Sequence, residues 1–399
     1  GPHGLNLVGV SIVSGAGAVT VQAAGAVVFT GTADVRTTGS IDVEANAIVQ
    51  SATSLFTSVS DIRLLAATNV TVGNIATSGN VSVTAITGSI VDADGLAGTV
   101  NDANIDITAN GLRLTAGNGI GDTVNHLGLT VNTLTARATA GGIYLKESDN
   151  LVIGDVGVTV QRVGSNAATT ATTDAAQSDV RTTAGNGNIV ITTGGTMVLT
   201  DGAATADDTA LLANGSGNVL VLALGGDVIA NADIASATGH LTVLAGDTVA
   251  FNGTADRRSA GTIDVEAASG SIVQSTGSQF VSTGDIRLSA AQSVTVGTIA
   301  TGGNVSITAA IGAIVDADAL ANGVNDALVD ITANGLRLNA GAGIGDTVNH
   351  LETTVNVLSA RANSGIYLTE SDGLTVGDVA ATVQRVGANA ATTTVTGAL

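Results

Sequence analysis

The chain has 399 residues, of which 44 % are hydrophobic but only 2 % aromatic, with no Trp, no Cys and one Pro. Lys and Arg number 13 against 33 Asp and Glu, a formal net charge of −20. These figures exclude disulfides and thiolate metal sites and argue against nucleic acid, which needs a basic footprint, and against membrane surfaces or insertion.

The opening GPHG (residues 1–4) reads as a cleavage and cloning remnant, so the chain is expected to be a piece of a longer protein. Short alternating strings follow: GSIDVEA from Gly39, SDIRLLA from Ser60, GNVSVTA from Gly79 and ANIDITA from Ala103. Apolar–polar–apolar alternation predicts strands with one buried face. The Gly or Asn before each string suits a turn. Second alternating runs lie between them, such as NVTVGNI from Asn69 and GLRLTAG from Gly111. The rhythm breaks at Gly164–Gly185, GSNAATTATTDAAQSDVRTTAG, which has a single Val. A loop or linker is expected over residues 164–186. Strings resume with GNIVITT from Gly187, GNVLVLA from Gly217, GHLTVLA from Gly239 and GTIDVEA from Gly261.

A longer period overlies the short one. Val91–Leu127 and Val315–Leu351 match at 30 of 37 positions with an offset of 224, and each contains TANGLRL, at Thr108–Leu114 and Thr332–Leu338. GTADVRTTGSIDVEA from Gly31 returns at Gly253, and GIYLKESD from Gly142 returns as GIYLTESD at Gly365. The expected organisation is a first unit over 5–226, a partial second unit over 227–386, and the start of another linker at 387–399. Coils that cannot hide their apolar faces alone must stack, so the fold class expected is an all-β parallel β-helix, or β-solenoid, of roughly 18 coils of about 22 residues. A string of β-sandwiches would need thick cores and usually a buried Trp or a Tyr corner, which this composition does not favour. Arg63 and Arg113 alternate with Leu neighbours and are expected on the surface.

Little in the sequence points to catalysis. The four His include His3 in the remnant and the paired copies His126 and His350, which read as surface or turn residues. No cluster has zinc-ligand spacing, and Gly-rich TAGNGIG lacks the Lys of a phosphate loop. Polysaccharide-cleaving β-helices use carboxylates, but here the acidic set including Asp106 and Asp330 is duplicated, and catalysis is not expected. Scattered Thr does not form the flat array of an ice-binding face. Calcium is the one cofactor the residues suggest, because clustered Asp oxygens suit a hard cation. The candidate ligands are Asp92, Asp94 and Asp102, with Asp316, Asp318 and Asp326 in the second copy. The YLKESD and YLTESD strings raise the same question more weakly.

At its GN-[IV]-x-[IV]-x-A strings the chain resembles the repetitive β-helical shafts of large bacterial surface adhesins, the filamentous-haemagglutinin type and the giant repeat adhesins. The long repeat and strong acidity depart from the haemagglutinin pattern. The resemblance implies export, an extracellular or cell-surface location, and a rod that presents binding sites away from the cell. The expected function is a non-catalytic shaft segment serving attachment. Its partners would be another cell surface, a glycan, or neighbouring repeats. Two alternatives stand beside it: a carbohydrate-binding or carbohydrate-cleaving β-helix, and a self-assembling surface-layer or matrix component.

Overall fold

In the computed structural model, which describes residues 3–96, 103–318 and 328–397, the alternating strings become parallel strands stacked one turn apart. The strand Ile41–Ala45 pairs with Ile62–Ala66, which pairs with Asn80–Ala85. Ile41, Ile62 and Val81 therefore lie in one inward column, and Val43, Leu64 and Val83 in the next, all without solvent exposure. Each such side chain contributes about 1.5–3 kcal/mol of burial. The alternation is needed because successive strand residues face opposite sides. Each turn has three faces, as in Ile41–Ala45, Ala47–Gln50 and Leu55–Ser58.

The result is an all-β parallel β-solenoid of about 16 turns of about 22 residues. The chain divides into two units, Gly1–Ile191 with Gly202–Ala206, and Thr192–Asp201 with Asp207–Leu399. The second repeats the register of the first, with Leu241, Ile263, Ile286 and Val305 in one column. Dividing the length by one coil period overcounts the turns, because part of the chain leaves the coils.

Much of that departure falls where a loop or linker was expected. Thr169–Gln177 is a strand, paired antiparallel with Val156–Val163. In the second unit Ala381–Val386 pairs antiparallel with Thr392–Gly397. The turns between these strands are alike: Gly164 N–H donates to Ala168 O at 2.8 Å, and Gly387 N–H to Ala391 O at 2.8 Å. Ala167 and Ala390 take φ of 61° and 59° there. Asn166 and Asn389 accept from the amides of Ala168 and Ala391, which shapes both turns locally.

Corners are held by buried polar groups. The Gln50 amide donates to Ser54 O at 2.8 Å and to Asn74 O at 2.7 Å, and Gly73 N–H donates to its Oε1 at 3.2 Å. Gln274 does the same with Ser278, Thr298 and Gly297. A Cβ at Gly79 would come within 2.7 Å of the Ser60 carbonyl carbon, so this corner tolerates only glycine.

TANGLRL bends one long strand, Ile107–Ala116, across two faces. Asn110 stands at the bend. Its Nδ2 donates to Asn80 Oδ1 at 3.0 Å, and its Oδ1 accepts from Asn132 Nδ2 at 3.2 Å, a ladder over three turns. Asn304, Asn334 and Asn356 repeat it in the second unit. Among the described residues no helix is long and apolar enough to cross a membrane.

Candidate functional site

Three features recur in both units: a hairpin strapped over one sheet face, a corner of carboxylates, and a polar groove.

The inner strand of the first hairpin runs across the coils rather than along them. Val163 N–H donates to Thr20 Oγ1 at 2.8 Å, Gln161 N–H to Ser40 Oγ at 2.8 Å and Thr159 N–H to Asp61 Oδ2 at 2.9 Å. Asn80 Nδ2 donates to Gly157 O at 3.1 Å, so four successive turns are tied. Alternate backbone amides thus find side-chain acceptors on the sheet. Val156, Val158 and Val160 of this inner strand form the strap's own buried apolar cluster.

Charge locks the strap. Asp42 faces away from the solenoid core yet has no solvent exposure. Its Oδ2 accepts from Arg162 Nε at 2.6 Å and its Oδ1 from Arg63 Nη1 at 2.9 Å, and Arg162 also pairs with Glu44. Arg63 Nε reaches Asp174 on the outer strand at 3.0 Å. The bond to Asp42 holds the Arg162 guanidinium above its usual range. In the second unit Arg385 pairs with Asp264 at 2.6 Å and Glu266 at 2.7 Å, and Arg287 bonds the same two carboxylates. Arg63 therefore does point out of the core, as expected, but it is buried under the strap rather than on the surface. Arg113 stays half-buried and donates to Ala175 O of the outer strand at 3.1 Å.

The acidic corner brings Asp92, Asp94 and Asp106 together, with one oxygen of each within 4.8 Å of the others, and Asp316, Asp318 and Asp330 form the same group. Asp92 ends a strand, Ile90–Asp92, and Asp106 directly precedes the strand Ile107–Ala116 of the same turn. Asp94 N–H donates to Asp92 Oδ1 at 2.6 Å, an Asx turn. Asn125 Nδ2 donates both to Asp92 Oδ2 at 2.9 Å and to Asp94 O at 3.0 Å. Asp106 Oδ2 accepts from Gly128 N–H at 2.6 Å, while its Oδ1 is buried and receives no hydrogen bond. Burial, with the neighbouring Asp92 charge, pushes Asp106 well above the usual carboxylate range. Burial does the same to Asp330, beside Asp316 and Glu352. Asp102 and Asp326 lie outside the described residues. Asp106 and Asp330 complete the two groups, and their place just before the TANGLRL strand was visible in the sequence only as proximity.

The ESD strings do not join this corner. Burial pushes Glu147 up to about 7, and its Oε2 accepts from Val131 N–H at 2.9 Å, a structural role. His126, expected at the surface, is buried and packs against Tyr144 with ring centroids 5.9 Å apart.

The groove follows the asparagine ladder. In the first unit it encloses about 350 Å³ and is lined by Thr77, Thr108, Asn110, Thr130, Asn132 and Asp149. The second unit has a groove of about 370 Å³ with Thr301, Thr332, Asn334, Thr354, Asn356 and Asp372. Thr and Asn side chains recur along both, beside Ala109 and Val131 in the first and Ala333 and Val355 in the second, with no aromatic residue in either lining.

Fold and repeat together define the class: a β-helical repeat protein. A scan against protein-family models, a search of curated proteins and a search of solved structures found no match.

Proposed function

We propose that this chain is a non-catalytic shaft segment of a secreted or cell-surface bacterial protein, one that extends or presents adhesive sites in attachment. The observation that carries the reading is the strap. In each unit one hairpin ties successive turns crosswise through buried Arg–Asp pairs. Bonds that cross the coil direction resist turns sliding or peeling apart, a property useful under load and needless in a passive repeat. A solenoid also gains length simply by adding turns.

Single-molecule stretching of the whole chain tests this. The strapped turns, Thr20 to Val163 in the first unit, are expected to open in one cooperative event. Coil-by-coil unravelling at low force would sink the reading.

A second reading rests on the grooves, whose hydroxyls and amides could hydrogen-bond a glycan. It predicts hits on a glycan array that disappear in Asn110→Ala combined with Asn334→Ala. An array without such hits removes it.

A further inference from the structure

We propose that each unit binds one calcium ion, through Asp92, Asp94, Asp106 and the side-chain amide of Asn125 in the first, and through Asp316, Asp318, Asp330 and Asn349 in the second. Three carboxylates alone would not establish a site. What points to a ligand is Asp106, only 2 % exposed, whose Oδ1 receives no hydrogen bond and whose carboxyl meets the carboxylate of Asp92. The Oδ1 of Asn125 is also buried without a partner, and so is that of Asn349. Buried oxygens of this kind are costly to leave unsatisfied, and one cation can satisfy several at once.

Asn125 shows where the ion would sit. Its single nitrogen is placed where two oxygens converge, Asp92 Oδ2 and Asp94 O. Asn349 repeats this with Asp316 Oδ2 at 2.8 Å and Asp318 O at 3.1 Å. Turning the amide over exchanges Nδ2 for Oδ1 and converts a donor into a ligand. The set then consists of carboxylate, amide and backbone oxygens, the hard ligands that suit Ca²⁺. Mg²⁺ demands regular octahedral geometry and keeps its waters, and softer metals prefer nitrogen or sulfur. The two sites differ in one respect. Where the first unit has Gly128, the second has Glu352, whose N–H donates to Asp330 Oδ2 at 2.8 Å and whose carboxylate adds negative charge nearby. The second site is therefore the tighter.

Calorimetric titration of the whole chain with CaCl₂ in about 0.15 M KCl, where long-range attraction to the acidic surface is screened, tests this. Two ions per chain are expected, with the weaker lost in Asp94→Asn and the tighter in Asp318→Asn. Both positions are half-buried, which protects the fold, and circular dichroism checks it. The double variant should bind at least about tenfold more weakly, and the rise of Tm in calcium should vanish with it. Absence of saturable binding overturns the proposal. So does unchanged binding by the double variant, which would place the ions elsewhere on the surface. Equal competition by MgCl₂ overturns the choice of calcium.

Discussion

Arg257 is the residue at which the two units part most sharply. GTADV in the first unit becomes GTADR in the second, so Arg257 replaces the core residue Val35. Both are fully buried beside an edge-to-face pair, Phe29–Phe56 in one unit and Phe251–Phe280 in the other. The guanidinium lies 3.8 Å from the Phe251 ring centroid and bonds the Asp256 carbonyl, but Nε and Nη2 have no partner. Burial pulls its pKa down to about 9. A cation–π contact offers about 2 kcal/mol when desolvated, whereas each buried, unsatisfied charged donor costs about as much or more. Arg257→Met keeps the length and removes the charge. It is expected to stabilise the second unit by about 1–3 kcal/mol, seen as a higher urea midpoint. A lower midpoint would mean that the ring contact outweighs the orphaned donors. The sequence displayed this exchange openly, but its consequence depends on Val35 being inside, which alternation indicates only once register is known.

Among elements, the hairpin governs the rest. Arg162 anchors it on Asp42 and Glu44, and removing it leaves the buried Asp42 carboxylate with Arg63 as its remaining cation, each lost charge-assisted bond costing about 1.5–3 kcal/mol. Arg162→Ala should therefore lower stability by about 3 kcal/mol and release the amides of Thr159, Gln161 and Val163 to rapid hydrogen exchange. Arg36→Ala is the control, because its pair with Asp34 is half in solvent and is worth under about 1 kcal/mol. Equal losses in the two variants would show that the strap is not held by its buried charge. The outer strand escaped sequence reading for a clear reason. Its sheet-facing residues are Asp174 and Gln177, which meet Arg63, Ser82 and Thr115, so it carries no apolar alternation. The inner strand is VGVTVQRV, whose Val alternation resembles that of any coil strand.

For the molecule as a whole, the net charge of −20 spread over a chain with 13 basic residues makes self-repulsion a global term. The screening length falls from about 30 Å at 0.01 M salt to about 8 Å at 0.15 M. Tm should therefore rise over that range of KCl. A falling Tm would mean that screening of the strap's ion pairs dominates. The sequence by itself determined the parallel solenoid, the length of its repeat and the inward columns, because each coil states the same short alternation and stacking demands matching apolar faces. It also marked Asp92, Asp94, Asp316 and Asp318. Only the tertiary structure decided that Arg63 is covered, that Asp106 and Asp330 close the acidic corners, and that residues expected to link are a strap. These depend on charges that meet across long separations, such as the 120 positions between Asp42 and Arg162. No local period encodes which outward-facing side chains will find one another once the coils have stacked.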